Sequence, residues 1–157
     1  MTNILKDFWE DRQRGACWLP SDAFAAAGLD LQTEPDDEVF QQHFNTGLTG
    51  LIAIAHQHLR DALDYVLLLP KEAVGIRRFC LWAVGLAILT LRNIQLRPNY
   101  RSGQEVKVSR RALRTTIGAC NLFTRNNAAL NMIFRLAASG LPRLSGPRMP
   151  QAFSNWS

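Results

Sequence analysis

Apolar residues recur along most of this chain at steps of three and four. Leu48, Leu51, Ile52, Ala55, Leu59, Leu63, Val66 and Leu67 trace the clearest stripe, as expected of a helix with one buried face. The pattern predicts a long helix from about Asp37 to Leu69, ended by Pro70, and another from about Lys71 to Leu96, stopped before Pro98. A first helix is expected from Thr2 to about Arg14, ended by Gly15. Ser21 or Asp22 is placed to cap a short AFAAAG segment that stops at Gly28. Residues 29–36 read as an acidic connector, with Asp36, Asp37 and Glu38 as N-terminal charge for the helix that follows. A loop covers 97–108. Ser109 is then a suitable N-cap for a last helix running to about Ser139 and ending at Gly140. No segment alternates as a strand does, and no repeat of solenoid length occurs. The expected fold class is all-α. Residues 1–140 form the domain, and 141–157, rich in Pro, Ser and Gly, form a mobile tail.

Composition adds a core and a sign of charge. Of 157 residues, 47% are hydrophobic and 20% charged, enough apolar material for one packed domain. The formal net charge of +5 suits diphosphates, acidic lipid surfaces or nucleic acid. The bases are scattered, and no helix-turn-helix or zinc spacing is present, which argues against nucleic acid. Cys17, Cys80 and Cys120 form no CxxC pair, so neither a disulfide framework nor a zinc site is expected, and a reducing cytoplasm fits. The first residues carry acids early and lack the long apolar run of a signal peptide. The longest apolar run, Phe79 to Leu91, has 13 residues, short of the roughly 20 a membrane helix needs. Being apolar nearly all round, that helix is expected to sit centrally.

The first helix carries the candidate chemistry. At about 100° per residue, Asn3, Asp7, Glu10, Asp11 and Arg14 share one stripe, with Ile4, Leu5, Phe8 and Trp9 turned towards the core. Carboxylates at i and i+4 repel. A cation would relieve that repulsion: Mg²⁺ prefers oxygen donors and typically bridges one or two carboxylates to substrate phosphates. Asn3 adds a neutral oxygen on the same line, and Arg14 is placed to meet phosphate oxygens. The plain alternative is a solvated face with an i, i+4 pair such as Lys6 and Glu10. Elsewhere, His56 and His58 point about 200° apart on a helix and cannot share a metal. Lys107, Arg110 and Arg111 crowd positive charge at a helix start, where the dipole disfavours it, and so hint at an anionic partner.

Three segments, in order, resemble the squalene/phytoene synthase family. TNILKDFWEDRQRGACWLP is similar to its second aspartate-rich motif and the following loop, through Asn3, Asp7, Asp11, Arg14, Gly15, Trp18, Leu19 and Pro20. RRFCLWAVGLAILTL resembles the helix along the product channel, and EVKVSRR resembles its VKISRR segment. The resemblance implies the C-terminal part of the all-α isoprenoid synthase fold and head-to-head condensation of two prenyl diphosphates, farnesyl diphosphate favoured, to squalene or a related product. It implies Mg²⁺ at Asn3, Asp7 and Asp11, with Asp7, Asp11 and Arg14 as catalytic residues. Asn3, Trp18, Phe79, Cys80, Ala83 and Ala87 would contact substrate. NADPH would serve those members that reduce the intermediate. The family's first aspartate-rich motif has no counterpart in this sequence, Trp18 stands where Tyr is frequent, and Ala16 where a base is frequent. A complementary N-terminal half is therefore the expected partner, with peripheral membrane association a further expectation. The alternatives are a noncatalytic helical remnant or partner subunit, and a basic nucleic-acid-binding helical protein.

Overall fold

The computed structural model describes residues 1–31 and 38–144. All regular elements there are helices: α1 (Thr2–Lys6), α2 (Phe8–Gln13), α3 (Ser21–Ala25), α4 (Glu38–Leu68), α5 (Val74–Leu96), α6 (Arg110–Phe123) and α7 (Asn127–Ala137). The two long helices, α4 and α5, fold back on each other across the short turn that follows Pro70. α5 also touches α1, α6 and α7. Asp36 and Asp37 lie outside the described residues, and Glu38 opens α4.

An aromatic cluster ties the N-terminal helices to α4. The ring of Phe44 lies 5.1 Å from that of Phe8, and 5.5 Å from those of Trp9 and Phe24. Gly47 lets α3 approach, since a Cβ there would sit 2.5 Å from the Phe24 ring. Close approach of this kind is where glycine is required.

Two expected helices are divided. The first bends at Asp7, whose φ of −95° and ψ of 10° leave the α region. The bonds from Asp7 N–H to Asn3 C=O (2.8 Å) and from Asp11 N–H to Asp7 C=O (2.9 Å) continue across the bend, so the polar stripe survives it. The last helix breaks between Phe123 and Asn127. Asn126 caps α7 by accepting from Ala129 N–H, as Ser109 caps α6 by accepting from Ala112 N–H.

The break is organised by a buried arginine. Arg77 is fully buried. Its guanidinium donates to Thr124 O (2.9 Å), Val66 O (2.9 Å), Leu69 O (2.7 Å) and Asn127 Oδ1 (2.6 Å). Among the described residues no carboxylate pairs with it. The carbonyls at the C-terminal ends of α4 and α6 do so instead, where the helix dipole is negative and carbonyls lack intrahelical donors.

α5 is central, as expected, but not covered all round. Leu81, Val84, Ile88 and Leu91 are buried with Arg77, whereas Ile76 and Phe79 are 54% and 70% exposed. By length and composition α5 passes for a membrane span, with mean hydropathy 1.7 over its apolar window. Its contacts with four other helices account equally well for that composition. Of residues 141–157, Leu141 is buried and the Pro142 carbonyl lies 2.9 Å from His56 Nδ1; residues 145–157 lie outside the described residues.

Candidate diphosphate and metal site

The polar stripe of α1 and α2 forms one wall of a cavity of about 600 Å³. Asn3, Asp7, Asp11 and Arg14 line it, with Trp18 at the mouth, 68% exposed. Lys6 and Glu10 belong to the same wall. The other side is the loop after α5, which contributes Gly103, Gln104 and Lys107. Arg110 and Arg111 are exposed and lie outside the cavity.

The three carboxylates differ in their partners. Asp7 pairs with Lys6 at 3.2 Å and Asp11 with Arg14 at 4.0 Å, both partly exposed. Glu10 is held more firmly: its Oε1 accepts from Gly103 N–H at 2.8 Å and Ser102 Oγ at 3.0 Å. Burial alone would raise the Glu10 pKa. The hydrogen bonds from Gly103 and Ser102 and the charge of Lys6 outweigh it and hold the carboxyl below its ordinary value. The loop lies so close that a Cβ on Gly103 would sit 2.9 Å from Asp7 Oδ1 and 3.1 Å from the Lys6 carbonyl. Tyr100 secures the same loop from below. Its hydroxyl donates to Leu5 O. Burial, with the charges of Glu10 and Asp7, pushes its pKa far above the usual value, so it stays a protonated donor. Arg101 lies over Trp9, 4.5 Å from the ring centre.

Glu10 Oε2 is buried and has no hydrogen-bond partner among the described residues. The Asp7 and Asp11 carboxylates and the Asn3 amide, which border the cavity, are hard donors suited to Mg²⁺. No group of three or more His, Cys, Asp or Glu side chains among the described residues is placed to hold a metal ion by itself. Mg²⁺ seldom needs such a group, being held by one or two carboxylates plus phosphate oxygens and water. The residues therefore fit Mg²⁺ arriving with a phosphorylated ligand. Three acids and three bases around one cavity also suit a metal–diphosphate better than either ion alone.

The residues expected to line a hydrocarbon channel lie elsewhere. Phe79 and Ala83 are exposed, Cys80 and Ala87 half-buried, and none borders the cavity. They share an open stripe of α5 with Ile76. His56 bonds the Pro142 carbonyl and packs its ring 6.1 Å from that of Phe134, while His58 is exposed. Sequence reasoning missed the parts played by Glu10 and Gly103. The only signal for Gly103 was a glycine beside a serine in a loop, which many turns share.

The family model described as squalene/phytoene synthase covers residues 1–112, which takes in the acidic wall, α4, α5 and the loop through Lys107. No curated protein and no solved structure matches the chain.

Proposed function

The chain belongs to the squalene/phytoene synthase family, a family of Mg²⁺-dependent transferases that join prenyl diphosphates head to head, and on that premise we propose that the cavity beneath Asn3, Asp7 and Asp11 binds the magnesium diphosphate end of a prenyl diphosphate, farnesyl diphosphate above all. Asp7 and Asp11 hold the metal, with Asn3 assisting. Arg14 and Lys107 meet the phosphate oxygens from opposite sides. Held by Asp7 and Asp11, Mg²⁺ would supply the positive charge needed where negative charge develops on the diphosphate leaving group. Trp18 offers a ring face to the allylic end of the chain. Among the described residues only one acidic wall borders the cavity. Phe79, Cys80, Ala83 and Ala87 would complete a hydrocarbon wall once a complementary set of helices covers them.

The observation that supports this reading is the convergence of Asp7, Asp11, Arg14 and Lys107 on one cavity from two separate segments. Calorimetric titration with farnesyl thiodiphosphate, which resists ionisation, tests it. Binding should require Mg²⁺ and weaken at least about tenfold in Asp7→Ala and in Asp11→Ala, the loss of roughly one charge-assisted contact. Binding that ignores Mg²⁺, or survives both substitutions unchanged, would sink the assignment.

A further inference from the structure

The charge of this chain is unevenly placed. From Val106 to Ser157 the sequence holds eight lysines and arginines and no acid; the preceding 105 residues hold the other ten bases and all thirteen acids. The last third is therefore at +8 and the rest at −3. Of these eight bases, those on and beside α6 and α7 belong to none of the catalytic machinery described above.

On α6 and the turn after it, Arg111, Arg114, Gly118, Leu122 and Arg125 are all exposed. At 100° per residue they fall within about 80° of one another. The opposite side of α6 faces α5. Cys120 Sγ lies 3.5 Å from Leu81 O, and Thr116 Cγ2 would be 2.7 Å from a Cβ on Gly85. The arginine stripe thus points directly away from the body of the protein. α7 is built the same way. Leu130 and Phe134 are buried, and Met132 and Leu136, on the far side, are 64% and 66% exposed, with exposed Arg135 nearby. The side chains of Arg111, Arg114, Arg125 and Arg135 make no hydrogen bond or ion pair among the described residues. Leu122, bare between arginines, is 76% exposed.

Solvation explains free arginines but not large aliphatic side chains standing among them. A nucleic-acid face would be expected to offer exposed aromatic rings or base-reading donors, and this one offers aliphatic side chains. Arginine interleaved with bare Leu and Met on the outer side of amphipathic helices matches the acyl–headgroup boundary of a membrane. It also explains why Arg110 and Arg111 tolerate the unfavourable first turn of α6: external anions can compensate the dipole.

We propose that the outer face of α6 and α7 docks on a bilayer rich in anionic phospholipid, with the arginines on the headgroup phosphates and Leu122, Met132 and Leu136 in the acyl boundary. This surface is separate from the diphosphate cavity, and its test needs no turnover. The full chain would be sedimented with vesicles of phosphatidylcholine alone, or of phosphatidylcholine with phosphatidylglycerol, at low and high salt. Binding should require the anionic lipid and fall with salt. Arg111→Gln with Arg114→Gln should weaken it about 30-fold, from the usual contribution of a surface base near anionic lipid. Lys71→Gln with Arg92→Gln, two exposed bases outside this face, removes the same charge and should change it less than about threefold. Leu122→Ser should weaken binding that remains at high salt, with an unchanged helical circular dichroism spectrum. Absence of binding, equal affinity for neutral vesicles, equal losses in the two double variants, or displacement from anionic vesicles by an equal charge of single-stranded RNA would overturn the proposal.

Discussion

Replacing Glu10 by alanine should free the loop that closes one side of the cavity. The structure gives the size of the effect. One carboxylate oxygen accepts from the Gly103 N–H at 2.8 Å and the Ser102 hydroxyl at 3.0 Å. A hydrogen bond to a charged group contributes about 1.5–3 kcal/mol. Glu10 is only partly buried, so the lower end applies, and Ser102 can turn to water. The net loss is then about 2–3 kcal/mol of local stability, or roughly 30- to 150-fold faster exchange of the Gly103 amide if the loop opens as a unit. Glutamine keeps an acceptor oxygen in place without the charge and should cost about 1 kcal/mol, roughly fivefold. Because the native pKa of Glu10 is lowered, its contribution is complete above the ordinary 4.5 and is lost as acid takes the pH down through the native value. Hydrogen exchange of residues 101–107, with Mg²⁺-dependent diphosphate binding measured alongside, checks the order wild type, Gln, Ala. Unchanged exchange in Glu10→Ala would refute the clamp. Equal loss of diphosphate binding in the Gln and Ala variants would make Glu10 a ligand of the bound group instead.

Gly103→Ala should produce the same loop opening from the other side, since its Cβ meets Asp7 Oδ1 at 2.9 Å and the Lys6 backbone carbonyl at 3.1 Å; loss of diphosphate affinity with the melting temperature nearly unchanged is the expected result. Arg77→Met removes four hydrogen bonds at nearly constant volume and strands the Val66, Leu69 and Thr124 carbonyls. It should cost about 3–5 kcal/mol and lower the melting temperature by roughly 10 °C or more, and a shift of only a degree or two would contradict this account of the α6–α7 break. A thiol reagent should label exposed Cys17 at once and Cys80 more slowly. It should reach Cys120, buried and with its pKa raised by that burial, only on unfolding.

How much of this was legible in the sequence depends on the range of the interactions involved. α4 and α5 were readable because a long apolar period and Pro70 are local signals. The grouping of Asn3, Asp7, Glu10, Asp11 and Arg14 followed from helical spacing, and the structure preserves it through the bend at Asp7. The division of the last helix was not readable. Thr124, Arg125 and Asn126 look helical in isolation, and what draws the Thr124 carbonyl out of the ladder is Arg77, 47 positions earlier. In the sequence that arginine is one of two bordering an apolar run. The Glu10 clamp spans 93 positions, and nothing local in either partner announces the other. The open stripe of α5 is illegible for a different reason: an apolar side chain reads the same whether or not a neighbour covers it.

The spacing of the acids then takes on a sharper meaning than repulsion relieved by a metal. Each of the three carboxylates already has a partner, so the bland view of a self-compensated surface helix has to be met on energies. The Lys6–Asp7 and Asp11–Arg14 pairs are partly exposed contacts, with side-chain exposures of 29% and 42% in the first and 23% and 77% in the second. Such pairs contribute about 0–1 kcal/mol, so a divalent cation or a phosphate can displace either partner at little cost. Glu10 is different, because leaving its position would strand the Gly103 N–H and open the loop. The helix therefore offers two carboxylates whose partners exchange readily, one turn apart, and between them a third committed to structure. If all three were merely surface compensation, there would be no reason for the weakly held pair to face the cavity together with the loop that Glu10 secures. Charge reversal tests that logic: Lys6→Glu should leave folding intact yet weaken binding of inorganic diphosphate in the presence of Mg²⁺ by less than Arg14→Glu does, because Lys6 only screens Asp7 whereas Arg14 faces the bound phosphate. Equal effects from the two would mean that the cavity responds to net charge alone.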